Sequence, residues 1–264
     1  MTTLKNKSDL TGRVALVTGA SRLQGIGAAI CRALAAHGAD IAFSHWRPYD
    51  AAFPYAGTPS EPDDLAHELK ALGVRTVPIE CELSNPGAEV RLLDETESRL
   101  GPLSILINNA AYSTGDGYWR FGAATIDAHY AVNMRAAMPL AAQFARRFAA
   151  DDGGRIINIT SGRGLGPMSD ELACGATKGA IEAFTRGVAP AVAHKGITVN
   201  AVNPGPTDSG WITPQLRDVL LPRFPMGRLG TPIDVARLMA WLASPDADWV
   251  TGQVIHSEGG FIRG

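Results

Sequence analysis

Residues 14–27 read Val14-Ala15-Leu16-Val17-Thr18-Gly19-Ala20-Ser21-Arg22-Leu23-Gln24-Gly25-Ile26-Gly27. Four apolar residues run straight into a glycine-rich turn, and an amphipathic helical pattern follows. Ile26, Ala29, Ile30, Ala33 and Leu34 share one helical face, and Gly38 closes the helix. A short apolar run rich in branched residues reads as a buried parallel strand. Glycines in the turn let a backbone approach a diphosphate, and the helix N-terminus offers unpaired amides and the positive end of its dipole. A glycine-rich turn alone is weak evidence. The strand before it and the helix after it favour a dinucleotide cradle over a plain tight turn.

The same alternation continues along the chain. Apolar runs recur at Ile41-Ala42-Phe43, Val77-Pro78-Ile79, Ile105-Leu106-Ile107, Ile156-Ile157-Asn158-Ile159, Thr198 to Val202, and Val254-Ile255-His256. Helical patterns lie between them. Leu65, Leu69 and Leu72 follow acidic Asp63 and Asp64, with Gly73 as the stop. Thr231 and Pro232 read as N-cap and first helical residue before Val235, Leu238, Met239 and Leu242. Seven strands separated by helices predict an α/β chain: a Rossmann-type, doubly wound, seven-stranded parallel sheet with helices on both faces, as one domain over residues 1–264. The exception to the regular pattern is 48–62, where four prolines and two tyrosines interrupt the first crossover. A connection of that length is more often functional or mobile than neutral.

Composition excludes several function classes. The 264 residues are 45% hydrophobic and 19% charged, with a net charge of -2. That is the make-up of a soluble globular chain without the basic patch that nucleic acid requires. No apolar run approaches a membrane span, and Met1 to Leu10 is polar, unlike a secretion signal. Cys31, Cys81 and Cys174 form no CxxC pair and are odd in number, so they read as reduced thiols and point to the cytoplasm. The six histidines lack ligand spacing, so no metal site is expected.

The chain resembles the short-chain dehydrogenase/reductases. The cradle is similar to their TGxxxGxG loop. The likeness continues with Asn108-Asn109-Ala110-Ala111, Asn133, Ser161, Lys178 and Asn203-Pro204-Gly205, in the family's order and spacing over about residues 10–264. One departure is in the cradle: five residues, Ala20 to Gln24, stand where the family has three. The resemblance implies a nicotinamide dinucleotide held by Gly19, Ser21, Arg22, Gly25, Ile26 and Gly27. Further contacts are implied from His45, Trp46 and Arg47, Glu82-Leu83 beside the adenine, Asn109-Ala110-Ala111, Lys178, Pro204, Gly205, Thr207 and Ser209.

The second strand decides between the two nicotinamides. An acid at its end would bond the ribose hydroxyls of NAD and repel a 2′-phosphate. Here it ends Phe43-Ser44-His45-Trp46-Arg47, and the first acid is Asp50. Arg22 and Arg47, facing one corner without a carboxylate, favour the phosphate, hence NADP(H). The alternatives are NAD(H), or two solvated surface arginines.

The resemblance also implies a catalytic serine, and a tyrosine and lysine four apart on one helix. Ser161 and Lys178 fit, and Asn133 in His129-Tyr130-Ala131-Val132-Asn133 fits the family's helix asparagine, which holds a water linked to the lysine. The tyrosine position, four before Lys178 and thirteen after Ser161, is Cys174. Residues i and i+4 share a helical face, so the thiol and the ammonium are neighbours. A thiol is intrinsically more acidic than a phenol, about 8.5 against about 10, and a neighbouring cation lowers it further. Reach is the obstacle, because sulfur ends several bonds short of a phenol oxygen. A water or Ser161 would then supply the proton. Three readings of Cys174 stay open: an inert residue in a site with weak or absent redox activity, the wall of a site enlarged for a bulky substrate, or a thiolate in non-redox chemistry. Tyr112 and Tyr130 are the candidate substitute phenols, with Tyr112 facing the pocket and Tyr130 packed.

Loops beyond the strand ends should form the substrate side: Tyr112 to Phe121, Gly162 to Leu172 with Arg163 as a candidate anion contact, and a lid at about 207–226. The expected activity is an NADP(H)-dependent oxidoreductase acting on a small-molecule carbonyl/alcohol pair. The rivals are a redox-silent cofactor binder and a lyase or cyclase using the same pocket. By resemblance alone the chain would assemble as a homotetramer or homodimer.

Overall fold

Seven apolar runs pair side by side in the order β3-β2-β1-β4-β5-β6-β7, every neighbour parallel. They are β1 (Val14–Val17), β2 (Asp40–His45), β3 (Thr76–Glu80), β4 (Ile105–Asn108), β5 (Gly154–Ile159), β6 (Ile197–Asn203) and β7 (Val254–His256). This computed structural model describes residues 9–150 and 153–263; the Arg163 side chain lies outside the described part, as do Met1–Ser8 of the polar N-terminal stretch. Ten α-helices are described: α1 (Ile26–Ala36), α2 (Arg47–Asp50), α3 (Glu61–Ala71), α4 (Ala88–Leu100), α5 (Gly117–Arg120), α6 (Ala123–Tyr130), α7 (Ala137–Arg147), α8 (Leu172–Val192), α9 (Pro214–Leu220) and α10 (Pro232–Ala243).

The strands are apolar on both faces because helices cover both. Within β1, Ala15 and Val17 face a core shared with Ile30 and Leu34 of α1 and Val235 and Met239 of α10. Val14 and Leu16 face the opposite core, with Leu92 of α4 and Leu140 and Phe144 of α7. Burying each large aliphatic side chain contributes roughly 1.5–3 kcal/mol, and these two layers hold the sheet as a rigid frame. The expected starts and stops of helices are present. Thr231 caps α10 in a capping box with Asp234, and Gly38 and Gly73 stand after α1 and α3 with positive φ.

The frame places the crevice. The chain leaves β1 towards β2 on one side, while β4 lies on the other, so strand order reverses between β1 and β4. Connections from these strands diverge at their carboxyl ends and leave an opening there.

Candidate active site

The opening is a cleft of about 590 Å³. Thr18 joins its two walls: its hydroxyl accepts from the amides of Asn109 and Ala110, both at 3.0 Å, and Asn109 donates back to the carbonyls of Thr18 and Gly19 at 2.8 and 2.9 Å. Two glycines keep the cradle open to a ligand. Gly19 has φ +74°, and a Cβ there would lie 2.6 Å from the Ala110 Cα. A Cβ on Gly27 would lie 2.6 Å from the Gly19 carbonyl oxygen. Gly19, Ser21, Arg22, Gly25, Ile26, Gly27, His45, Trp46, Glu82, Leu83, Asn109, Ala110, Ala111, Tyr112 and Ser209 all line the cleft. Arg47, Pro204, Gly205 and Thr207 lie outside its lining.

The adenosine corner differs from the sequence reading. Segment 48–62 folds back over the cleft, and Asp50 at the end of α2 lines it with a buried carboxylate 3.3 Å from the Arg22 guanidinium. The corner therefore holds two arginines and one carboxylate, where two arginines alone were expected. Arg22 also donates to the Ser209 carbonyl at 2.8 Å and lies over the Tyr55 ring. Arg47 donates to the carbonyls of Ala56 (2.8 Å) and Gly57 (3.2 Å), so it braces the segment. Neither arginine is simply solvated. Two buried nitrogens here, Arg47 Nε and His45 Nδ1, have no hydrogen-bond partner among the described residues. Burial pushes the His45 pKa down, which favours a neutral ring.

Segment 48–62 also supplies wall residues that sequence reasoning missed: Pro48, Tyr49, Phe53 and Tyr55. Tyr49 reaches the far end of the cleft, with its ring 5.4 Å from that of Tyr112. Its hydroxyl accepts from the Ser113 amide at 3.1 Å. Burial pushes its pKa up to about 12. Proline and aromatic content marked the segment as unusual, but nothing in its pattern indicated which wall it would join.

The catalytic-type residues lie after β5 and on α8, outside the cleft lining. Cys174 and Lys178 both lie in the first two turns of α8 and are both buried. The Lys178 ammonium donates to the Ile159 carbonyl at 2.8 Å, at the end of β5. Burial lowers the pKa of Lys178, and neighbouring Cys174 opposes that shift. Ser161 follows β5, and its hydroxyl is buried without a hydrogen-bond partner among the described residues. The N-terminus of α8 is capped from another loop. Asp116 accepts from the amides of Leu172 and Ala173, each at 2.8 Å. Burial would raise the Asp116 pKa, but these amide bonds prevail and hold it below the usual value.

Asn133 lies in a π-helical turn, Ala131–Ala136, that the sequence pattern did not reveal. Its side chain accepts from the Tyr112 amide (2.8 Å) and donates to the Tyr112 carbonyl (3.0 Å) and to the Thr177 hydroxyl (3.0 Å). It therefore couples the Tyr112 loop to the helix of Lys178 by direct bonds, where the resemblance implied a held water. No back-bond to the preceding turn is seen. Buried His129 presents its ring edge-on to Tyr112, centroids 5.0 Å apart. Tyr130, expected to be packed, ends α6 and is 46% exposed, whereas its neighbour His129 is buried. In the lid, Trp211 donates to the Thr207 carbonyl at 2.7 Å, Phe224 is buried against Phe261, and Met226 is exposed. Arg163 as an anion contact falls on a side chain outside the described part. All three cysteines are buried, and no disulfide joins them. Among the described residues no helix is long and apolar enough to cross a membrane.

Comparison with known proteins agrees with this architecture. Residues 19–262 match the family described as Enoyl-(Acyl carrier protein) reductase. The chain is 51% identical over 254 residues to the uncharacterized oxidoreductase YjdA of Bacillus subtilis (strain 168), covering 96% of this chain and 98% of the relative. It is 32% identical to the 3-oxoacyl-[acyl-carrier-protein] reductase FabG of Staphylococcus aureus (strain Mu50 / ATCC 700699), over 93% and 96% of the two chains. A dehydrogenase/reductase from Sinorhizobium meliloti 1021 superposes with a TM-score of 0.86 at 33% identity, over 96% of each chain. A blue fluorescent protein from a metagenomic library, solved in complex with NADPH, superposes with a TM-score of 0.84 at 33% identity, over 97% and 100%. With its parallel sheet, its glycine cradle, and Lys178 bonded at the end of the strand that Ser161 follows, the chain belongs to the short-chain dehydrogenase/reductase family of oxidoreductases.

Proposed function

We propose that the protein is an NADP(H)-dependent oxidoreductase that interconverts a carbonyl and an alcohol on a small molecule, with Cys174 replacing the family's tyrosine. The observation that carries this reading is the buried Ser161 hydroxyl, without a hydrogen-bond partner among the described residues, at the same end of the fold as the Cys174–Lys178 face. A buried hydroxyl with its hydrogen-bonding capacity unspent is suited to hold a substrate oxygen. The glycine contacts at Gly19 and Gly27 fit a diphosphate against the start of α1, and the orphaned Arg47 and His45 nitrogens fit a polar group at the adenosine corner. The NADPH complex of the metagenomic relative supports the same cofactor.

A bound nicotinamide would exchange a hydride with the carbonyl carbon. Ser161 orients the carbonyl oxygen. Lys178 contributes positive charge, and its lowered pKa makes it able to release a proton at a pH below that of an ordinary lysine. The Cys174 sulfur falls short of the oxygen, so the last proton transfer runs through a water or through the phenol of Tyr112, which Asn133 ties to the α8 frame. Gly19 to Gly27, Arg22, Arg47, Glu82-Leu83, Asn109 to Ala111, Pro204, Gly205, Thr207 and Ser209 would position the dinucleotide. We expect the enzyme in the cytoplasm as a homodimer or homotetramer.

The test follows nicotinamide absorbance against a panel of ketones for the wild type, Cys174→Tyr and Tyr112→Phe. The proposal expects turnover in the wild type. Loss of that turnover in Tyr112→Phe would identify the phenol as donor, and its persistence would assign the proton to water. NADPH binding with turnover in Cys174→Tyr alone would instead establish a redox-silent cofactor binder.

A further inference from the structure

Residues 257–263, after β7, reach back and touch three other segments of the chain. Glu258 accepts at 2.7 Å from the Asn203 side-chain amide, whose own carbonyl oxygen accepts from the Gly205 amide at 2.9 Å. These bonds hold the Asn203-Pro204-Gly205 turn. The Glu258 carboxylate also takes both arms of the Arg263 guanidinium, at 2.8 and 2.6 Å. Arg263 in turn lies against the loop that follows Ser161. A Cβ on Gly162 would overlap its guanidinium, and one on Gly166 would lie 3.0 Å from its Cδ. The guanidinium rests over the Phe261 ring, which packs on Phe224 with centroids 4.9 Å apart. The Ile262 amide donates to the Arg223 carbonyl at 2.9 Å, so the same residues hold the far part of the 207–226 lid. Only 9% of the Glu258 side chain and 15% of the Arg263 side chain are exposed, which makes this a buried ion pair. Burial would raise the Glu258 pKa, but Arg263 and Asn203 prevail and keep it below the usual value.

Resting on the proposal that Ser161 holds a substrate oxygen, we infer that Arg263 is a positioning residue for that serine: paired with Glu258, it locks the 162–166 loop to the Asn203-Pro204-Gly205 turn. A buried ion pair adds little net stability, because desolvation offsets the attraction. A two-armed guanidinium–carboxylate pair does fix orientation. Here the pair stands between two loops that would hold a dinucleotide and a substrate in register. The Ser161 hydroxyl makes no hydrogen bond among the described residues, so no bond of its own sets its place. The backbone beside it must do so. Gly162 admits the guanidinium next to the serine because it has no Cβ, and the atoms nearest that Cβ position all belong to Arg263. Glu258 keeps its bond to Asn203 without Arg263. Loss of the arginine therefore reaches the serine loop and leaves the turn in place.

Two variants separate this role from a merely structural one. Arg263→Met keeps the stem against Gly166 and removes the fork; Arg263→Lys keeps the charge and carries the comparison should the methionine variant not fold. Thermal unfolding checks folding. Hydrogen exchange of the 162–166 backbone is followed by mass spectrometry, NADPH binding by calorimetry, and kcat and KM with a ketone by nicotinamide absorbance. Arg263→Met should show faster exchange at 162–166, unchanged NADPH affinity, and a kcat lower by about ten- to a hundredfold. Arg263→Lys should fall between it and the wild type. Unchanged exchange at 162–166 in the folded variants would overturn the assignment. So would kcat and NADPH affinity falling together, which would make Arg263 a general brace. A wild type without turnover would remove the proposed reaction; exchange at 162–166 would then decide alone whether Arg263 fixes the serine loop.

Discussion

The adenosine corner and the catalytic-type residues at the end of β5 and the start of α8 handle their polar groups differently. At the adenosine corner the charges are largely answered by the protein: Arg22 by Asp50 and the Ser209 carbonyl, Arg47 by the carbonyls of Ala56 and Gly57, Glu61 by two amides, with only Arg47 Nε and His45 Nδ1 left over among the described buried nitrogens there. Near the start of α8 the Ser161 hydroxyl is buried with no such answer among the described residues, and Lys178 there has a charge that burial disfavours. The contrast separates two tasks. A corner that recognises a whole group can exchange internal bonds for ligand bonds at little net cost. A site that acts on one oxygen needs a group whose capacity is held in reserve, and burial makes that reserve costly to maintain.

The sharpest way to break this comparison is to close the cradle. Gly19→Val places side-chain atoms against Ala110 at a residue whose φ is +74°. Dinucleotide binding should fall about a hundredfold or more, from steric overlap and backbone strain together. Calorimetry against NADPH measures it. Affinity equal to the wild type would mean that the diphosphate lies elsewhere.

A smaller effect is expected from Asp116→Ala, which removes the cap from α8. Two amides at the start of that helix lose their acceptor. Stability should drop by ~1–3 kcal/mol in urea unfolding. Turnover should fall by more than cofactor affinity does, because α8 carries Cys174 and Lys178 while the cleft lining does not include them. Equal losses in both would merge the two regions into one unit.

The smallest effect serves as a reference away from both regions. Asp234 is held well below the usual carboxylate pKa, first by its hydrogen bonds with Arg228 and also by Thr231. A depressed folded-state pKa means that the stability it contributes is fully present above the unfolded value, about 3.9, and is lost as pH falls through the folded one. Asp234→Asn should cost about 1 kcal/mol at neutral pH through the cap, and the gap from wild type should narrow in strong acid. Unfolding curves across the acid range check the sign, and a gap that widened there would be inconsistent with it.

Legibility in the sequence followed physical cause. The strands were readable because most of their residues are buried between two helix layers and hence largely apolar; β7, only partly buried, was read from Val254 and Ile255. The cradle was readable because glycine is required where backbones touch. The position of Asp50 was not, because it depends on contacts between residues far apart in the chain, such as Tyr49 with Ser113 and Glu61 with Leu23. Proline-rich segments carry no periodicity from which such a path could be read. Tyr130 was expected to be packed from its place on the helix of Asn133, but α6 ends at Tyr130, which is exposed, and Asn133 lies in the π-helical turn that follows.

That stretch, Ala131–Ala136, closes its hydrogen bonds one residue later than its neighbours do. The added residue is a phase shift, advancing everything before it by about 100° around the axis relative to everything after it. Removing one residue there would regularise the rod and swing His129 away from Tyr112. A single-residue gap at this point between two related chains is therefore a change in how the pocket wall is hung, even when every signature residue still aligns.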